Sequence, residues 1–177
     1  MKFFPTVAAL VLSVSPVLAS GQSAVLPTAV ASLMNKDGKE IGTATLTQGP
    51  NGVLFHIKVA ELTPGKHGLH LHSHGVCEAH TGFKSAKGHV GKKEGSHGLL
   101  NPNGPEPGDI PNIFVGADGT GEMEAFSTLV SLTGGEHNLL DADGSTFIIH
   151  EKEDDHLSQP IGGAGGRVAC GVIKAGS

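Results

Sequence analysis

The sequence predicts an all-β domain, a sandwich or barrel of short strands. Three observations carry this. The 177 residues include 27 Gly and 10 Pro, which punctuates the chain too often for long helices. Several short runs alternate apolar and polar residues with the period of two that a half-buried strand requires. Turn-forming clusters separate those runs: Lys36-Asp37-Gly38, Gln48-Gly49-Pro50-Asn51-Gly52, Ala117-Asp118-Gly119 and Asp141-Ala142-Asp143-Gly144. A mass of 18.0 kDa suits one compact domain rather than two.

The first segment reads as a leader. Met1-Lys2 gives a positive start, Val7 to Val14 is apolar except for Ser13, and Val17-Leu18-Ala19 offers the small-residue pattern of a cleavage site. The apolar run is too short to span a bilayer. The expectation is a signal peptide over 1–19 and an exported domain over 20–177, periplasmic and free of the membrane once the leader is removed. An extracellular eukaryotic origin is the alternative.

The runs then follow in order. Val53, Phe55, Ile57 and Val59 share one face, with His56 and Lys58 opposite. Gly68-Leu69-His70-Leu71-His72 puts its leucines inward and both histidines outward. Thr146-Phe147-Ile148-Ile149-His150 and Arg167 to Ile173 are the last two. Two stretches, Ser73 to Pro111 and Glu151 to Gly166, carry no strand pattern. Loops of this length beside histidines are expected to be functional.

Composition narrows the function. The net charge is −5, so the broad basic field that nucleic acid requires is absent and no such partner is expected. Aromatics are 4% with no Trp or Tyr, which disfavours base-stacking surfaces. Cys77 and Cys170 are the only cysteines, and in an oxidising compartment an even pair reads first as one disulfide, with two free thiols as the alternative. The chain has 11 histidines, and histidine is the commonest metal ligand.

In a strand, residues i and i+2 point to the same side, so His70 and His72 can reach one ion. His89, His97 and Asp109 follow in the first loop, His150 ends a strand, and Asp154 opens the second loop. Separated imidazoles with a carboxylate suit copper and zinc rather than magnesium or calcium.

The stretch Gly65-Lys66-His67-Gly68-Leu69-His70-Leu71-His72, with Cys77 after it, resembles the copper-binding strand signature of the copper/zinc superoxide dismutases. Gly162-Gly163-Ala164-Gly165-Gly166-Arg167-Val168-Ala169-Cys170-Gly171-Val172-Ile173 is similar to that family's second signature, and His150-Glu151-Lys152-Glu153-Asp154-Asp155 to the segment between them. The resemblance spans about Ala24 to Lys174. It implies an eight-stranded Greek-key barrel with two long functional loops, converting superoxide to dioxygen and hydrogen peroxide. It further implies copper on His70, His72, His89 and His150, with His89 bridging to zinc and supplying a proton as peroxide forms. Zinc would take His89, His97 and Asp109. The family expects a histidine three residues before that aspartate, and here Glu106 stands there. Glutamate oxygens bind zinc at ordinary distances, so Glu106 is the candidate fourth ligand. Asp154 is expected to link His70 and His97 from behind, and His67 to be structural. Arg167 is the expected guide for the anion, with Lys92, Lys93 and Lys152 adding positive potential. His56, His74, His80, His137 and His156 are expected to stay outside the main site. The alternatives are a metal-binding protein without turnover and a structural β-sandwich. Oligomeric state is not assigned, and a homodimer stays open.

Overall fold

The computed structural model describes residues 25–176 and Met1; the segment read as a leader, 1–19, otherwise lies outside the described residues. Nine strands follow one another: β1 Thr28–Asn35, β2 Glu40–Gly49, β3 Gly52–Val59, β4 Gly65–His72, β5 Asp109–Val115, β6 Gly121–Ser127, β7 Thr146–His150, β8 Arg167–Val172 and the two-residue β9 Lys174–Ala175. Every paired neighbour is antiparallel, in the order β5-β4-β7-β8-β1-β2-β3-β6, with β9 on β1. The terminal strands of that order, β5 and β6, lie against each other across the turn closed by Gly116 N–H to the Thr120 carbonyl (2.7 Å). The eight longer strands therefore make a nearly closed barrel. The β3–β4 link passes over β6 and β5, and the β6–β7 link passes over β5 and β4, which is Greek-key connectivity.

The core follows the alternation. Val53, Phe55, Ile57 and Val59 of β3 are buried, while Leu54 and Lys58 face solvent. Phe55 meets Phe147 of β7 edge to face at 5.7 Å, joining opposite walls. Leu33, Leu46, Leu69, Leu71, Ile113 and Leu139 fill the remaining interior.

Strand β4 is buried on both faces beyond Lys66. Leu69 and Leu71 enter the core, whereas His70 and His72 point away from it and are buried beneath the long loops. Gly68 makes this roof possible. A Cβ there would lie 2.8 Å from the Ala164 Cβ and 3.3 Å from the Asp154 Cβ, so only glycine lets the 151–166 loop close onto β4. The Gly68 N–H donates to the Lys152 carbonyl at that contact (2.8 Å).

The first loop runs only to residue 108. Asp109–Pro111, expected as loop, already belong to β5. Pro111 is accommodated because the β4–β5 register shifts between His67 and Leu69, leaving Pro111 and Asn112 out of the ladder. On the outer face of β7 and β8, Ile148 and Cys170 pack with Phe83 and Ala86 in a second small cluster. The Cys77–Cys170 disulfide, with Cα atoms 5.7 Å apart, fastens the first loop to β8 there.

Candidate metal centre

Two adjoining clusters of buried donors lie between β4 and the loops. The first joins His70 and His72 on β4 to His150 at the end of β7, with His89 of the first loop beside them. Each imidazole is turned by a hydrogen bond from one ring nitrogen. His70 Nε2–H donates to Asp154 Oδ2 (2.7 Å), His72 Nδ1–H to the Lys87 carbonyl (2.8 Å), and His150 Nδ1–H to the Gly165 carbonyl (3.0 Å). His89 Nδ1 faces Glu106 Oε2 (2.8 Å). The opposite nitrogens, His70 Nδ1, His72 Nε2, His89 Nε2 and His150 Nε2, are buried without a partner. A buried polar atom left unpaired costs roughly 1–3 kcal/mol; His70, His72 and His150 offer donors within 4.8 Å of one another, with the unpaired His89 Nε2 beside them, a set that fits a soft cation.

The second cluster holds His89, His97, Glu106 and Asp109, all buried. Asp109 Oδ2 accepts from the N–H groups of Gly98 (2.7 Å) and Glu106 (2.9 Å), which leaves Oδ1 facing His97 Nδ1 (2.8 Å) and His89 Nδ1 (3.3 Å). Glu106 is arranged likewise. Its Oε1 accepts from Lys93 N–H (3.0 Å) and Ser96 Oγ (3.3 Å), and its Oε2 faces His89. Two imidazoles and two carboxylates with one oxygen each turned inward make a donor set suited to a tetrahedral N/O ion.

Asp154 ties the clusters together, contacting His70 Nε2 and, at 3.2 Å, His97 Nε2. Asn112 holds it by accepting from its N–H (2.9 Å) and donating to its carbonyl (2.8 Å). The charge states divide accordingly. Burial lowers His70 to about 4 and His150 to about 3, and takes His72 well below its ordinary value, so these three are neutral at pH 7. At His97 burial opposes charge, but hydrogen bonds to Asp109 and Asp154 outweigh it and raise the ring to about 10. His89 is raised against its burial by Asp109 and Glu106. Asp109 and Asp154 fall below the usual carboxylate range because those histidine partners overcome desolvation.

The family model for copper/zinc superoxide dismutase matches residues 40–173. The chain belongs to that family. It is 52% identical to Superoxide dismutase [Cu-Zn] of Caulobacter vibrioides over 141 residues, covering 78% of this chain and 80% of that protein. Superoxide dismutase [Cu-Zn] 2 of Aquifex aeolicus is 42% identical over 146 residues, 81% of this chain and 85% of that one. Among solved structures, a SOD-like protein from Bacillus subtilis superposes with TM-score 0.76 at 38% identity, covering 81% of this chain and 96% of that chain. The family's cofactors are copper and zinc, and the two donor sets fit them: all imidazole in one, imidazole and carboxylate in the other.

Beside the clusters, a cleft of about 430 Å³ is lined by His72, His89, Arg167, Lys84, Lys87 and Lys92, among others. Arg167 donates from Nη1 to the Phe83 carbonyl and from Nη2 to the Lys87 carbonyl, both at 2.6 Å. Of the three lysines expected to add potential, only Lys92 lines this cleft. Lys93 lines a neighbouring one with Glu94 and Glu106, and Lys152 a third with Glu151 and His67. Lys84 and Lys87 take their place, set there by the loop that the disulfide fastens. His67 spans the Thr63 and His150 carbonyls (2.8 and 2.7 Å), bracing the end of β7. Among the described residues, His56, His74, His80, His137 and His156 belong to neither cluster. His56 instead meets Glu122 at 2.6 Å, and His156 N–H donates to Asp154 Oδ1 at 2.7 Å.

Proposed function

We propose that this protein dismutes superoxide, turning two superoxide anions and two protons into dioxygen and hydrogen peroxide. In this reading His70, His72, His89 and His150 would hold copper through the ring nitrogens left unpaired. His89, His97, Asp109 and Glu106 would hold zinc. The observation that carries it is the set of four unpaired buried nitrogens on four imidazoles.

When bound, copper would supply a one-electron couple that both accepts and returns an electron, and zinc a fixed positive charge. The chain supplies the rest. Arg167 carries a permanent cation at the cleft and draws a small anion toward His72 and His89. The carbonyls of Phe83 and Lys87 fix its direction. His89 is the proton carrier: its Nδ1 is tied to the carboxylates, and its Nε2, on a residue that lines the cleft, would take up and pass on a proton whenever it does not hold the metal. Burial keeps His70, His72 and His150 neutral, so no proton competes for their lone pairs.

The same reading makes 20–177 the mature domain, exported to the periplasm after removal of 1–19. The Cys77–Cys170 disulfide supports an oxidising compartment. Metal analysis beside a superoxide-removal assay on one purified sample tests the function: activity should track copper content. A copper-replete protein without activity would leave metal binding without turnover. N-terminal sequencing of the periplasmic fraction tests the export.

A further inference from the structure

Three carboxylates are buried around the metal centre: Glu106, Asp109 and Asp154. Among the described residues their ion-pair partners are all imidazoles, and no lysine or arginine pairs with any of them. The charge of this buried region is therefore set by the carboxylates and by the ions the clusters would hold. Glu106 and Asp109 converge on one imidazole nitrogen, His89 Nδ1, at 2.8 and 3.3 Å. The same ring belongs to the imidazole cluster. Its centroid lies 4.3 Å from that of His70 and 5.0 Å from that of His72, and its Nε2 is buried and unpaired. One ring thus separates a pair of carboxylates from the four-imidazole cluster.

Glu106 holds its charge by geometry. Its Oε1 accepts from Lys93 N–H (3.0 Å) and Ser96 Oγ (3.3 Å), and its Oε2 meets only His89. A carboxylate surrounded by donors alone is an ionised one. At 2% exposure its field is little screened by water. The resemblance to the family expects Asp109 and Asp154, so Glu106 is the additional charge. Two carboxylates balance a divalent ion completely, whereas a histidine at this position would leave one positive charge beside His89. We propose that Glu106 tunes the copper couple through its charge, favouring the more positive, oxidised state. This rests on the reading of the four imidazoles as the ligands of copper. The effect is carried across His89 and needs no contact between Glu106 and copper.

The test compares the wild type with Glu106→His, Glu106→Gln and Glu106→Asp, each loaded with copper and with zinc in excess, the content of both metals being checked on the same samples. Potentiometric titration against ferricyanide and ferrocyanide, followed by the visible absorption of Cu(II), reads the midpoint potential without turnover. Glu106→His and Glu106→Gln should both favour Cu(I) by about tenfold, a rise of about 59 mV for a one-electron couple. Glu106→Asp, which keeps the charge, should stay at the wild-type midpoint. A role as zinc donor alone predicts otherwise, since Glu106→His keeps a donor and would then match the wild type. A wild-type midpoint in either neutral variant would overturn the tuning. So would a rise in Glu106→Asp as large as theirs, which would make position rather than charge the cause. Wild-type copper without a reversible couple would refute the proposed function and the tuning together, whereas a reversible couple indifferent to Glu106 would refute the tuning alone.

Discussion

Glu106 Oε2 lies 2.8 Å from His89 Nδ1, the nitrogen that Asp109 Oδ1 also approaches at 3.3 Å. Two carboxylates thus converge on one imidazole, and each is braced from behind by backbone N–H groups. Hydrogen bonds from His89 and Lys93 N–H outweigh burial and keep Glu106 ionised, as zinc binding would require.

Removing Glu106 should therefore be felt at zinc and hardly at copper. Glu106→Ala should weaken zinc binding by roughly 100-fold or more, since it deletes one of four donors. Glu106→His should bind zinc at least as well as the wild type. A zinc competition titration on copper-loaded protein measures both. Unchanged affinity in Glu106→Ala would remove it from the ligand set.

Stability of the metal-free protein should fall as pH drops from about 6.5 to 4. An unfolded histidine takes up its proton near 6.5, whereas burial holds folded His70 at about 4 and His150 at about 3, with His72 also far lowered. The unfolded chain then binds more protons in this window, so acid favours unfolding. His97, raised to about 10, is charged in both states below 6.5 and adds no slope there. The lowered Asp109 and Asp154 lose their contribution only at more acid pH. Urea unfolding at pH 7 and pH 5 checks the sign. A metal-free protein equally or more stable at pH 5 would contradict it.

Much of this was legible in the sequence. Strand β3 is plain because Val53, Phe55, Ile57 and Val59 alternate with polar neighbours except Leu54, and β4 announces its histidine face through His70 and His72. Strand β1 is quieter, since its inward residues Ala29 and Ala31 are small. Strand β5 is masked by Pro111. Apart from Asp154 on His70, the groups that orient these side chains could not be read. The carbonyls of Lys87, Gly165 and Phe83 turn His72, His150 and Arg167, and every residue has a carbonyl. Lys84 and Lys87 reach the cleft because the first loop folds back beside β8, a long-range placement with no local pattern.

Arg167→Glu should lower kcat/KM at least tenfold at low salt while copper stays bound, because the group faces the cleft and touches no ligand nitrogen. Raising ionic strength should slow the wild type and narrow the gap. A variant as fast as the wild type at low ionic strength would place anion capture elsewhere.

Loss of the disulfide should reach both stability and rate. Cys77 and Cys170 are separated by 93 residues, and closing so long a loop stabilises by roughly 4–5 kcal/mol at most in the chain-entropy model. The Cys77→Ser/Cys170→Ser double variant should unfold at lower urea. Its freed loop should release the Phe83 and Lys87 carbonyls from Arg167, so kcat/KM should fall even where the protein is folded. A folded double variant with wild-type kcat/KM would show that the loop holds without the bridge.

The proposed function requires that four imidazoles together hold one redox-active copper. It is tested most directly by titrating copper into zinc-loaded wild type and His150→Ala while following superoxide removal in the same samples. His150 Nε2 is buried and unpaired, and its Nδ1 meets only a carbonyl, so its loss should leave the barrel folded. In the wild type, activity should rise in proportion to copper and stop at one per chain. His150→Ala should bind copper weakly and stay inactive across the same range. Full activity in His150→Ala, or wild-type activity independent of added copper, would contradict it.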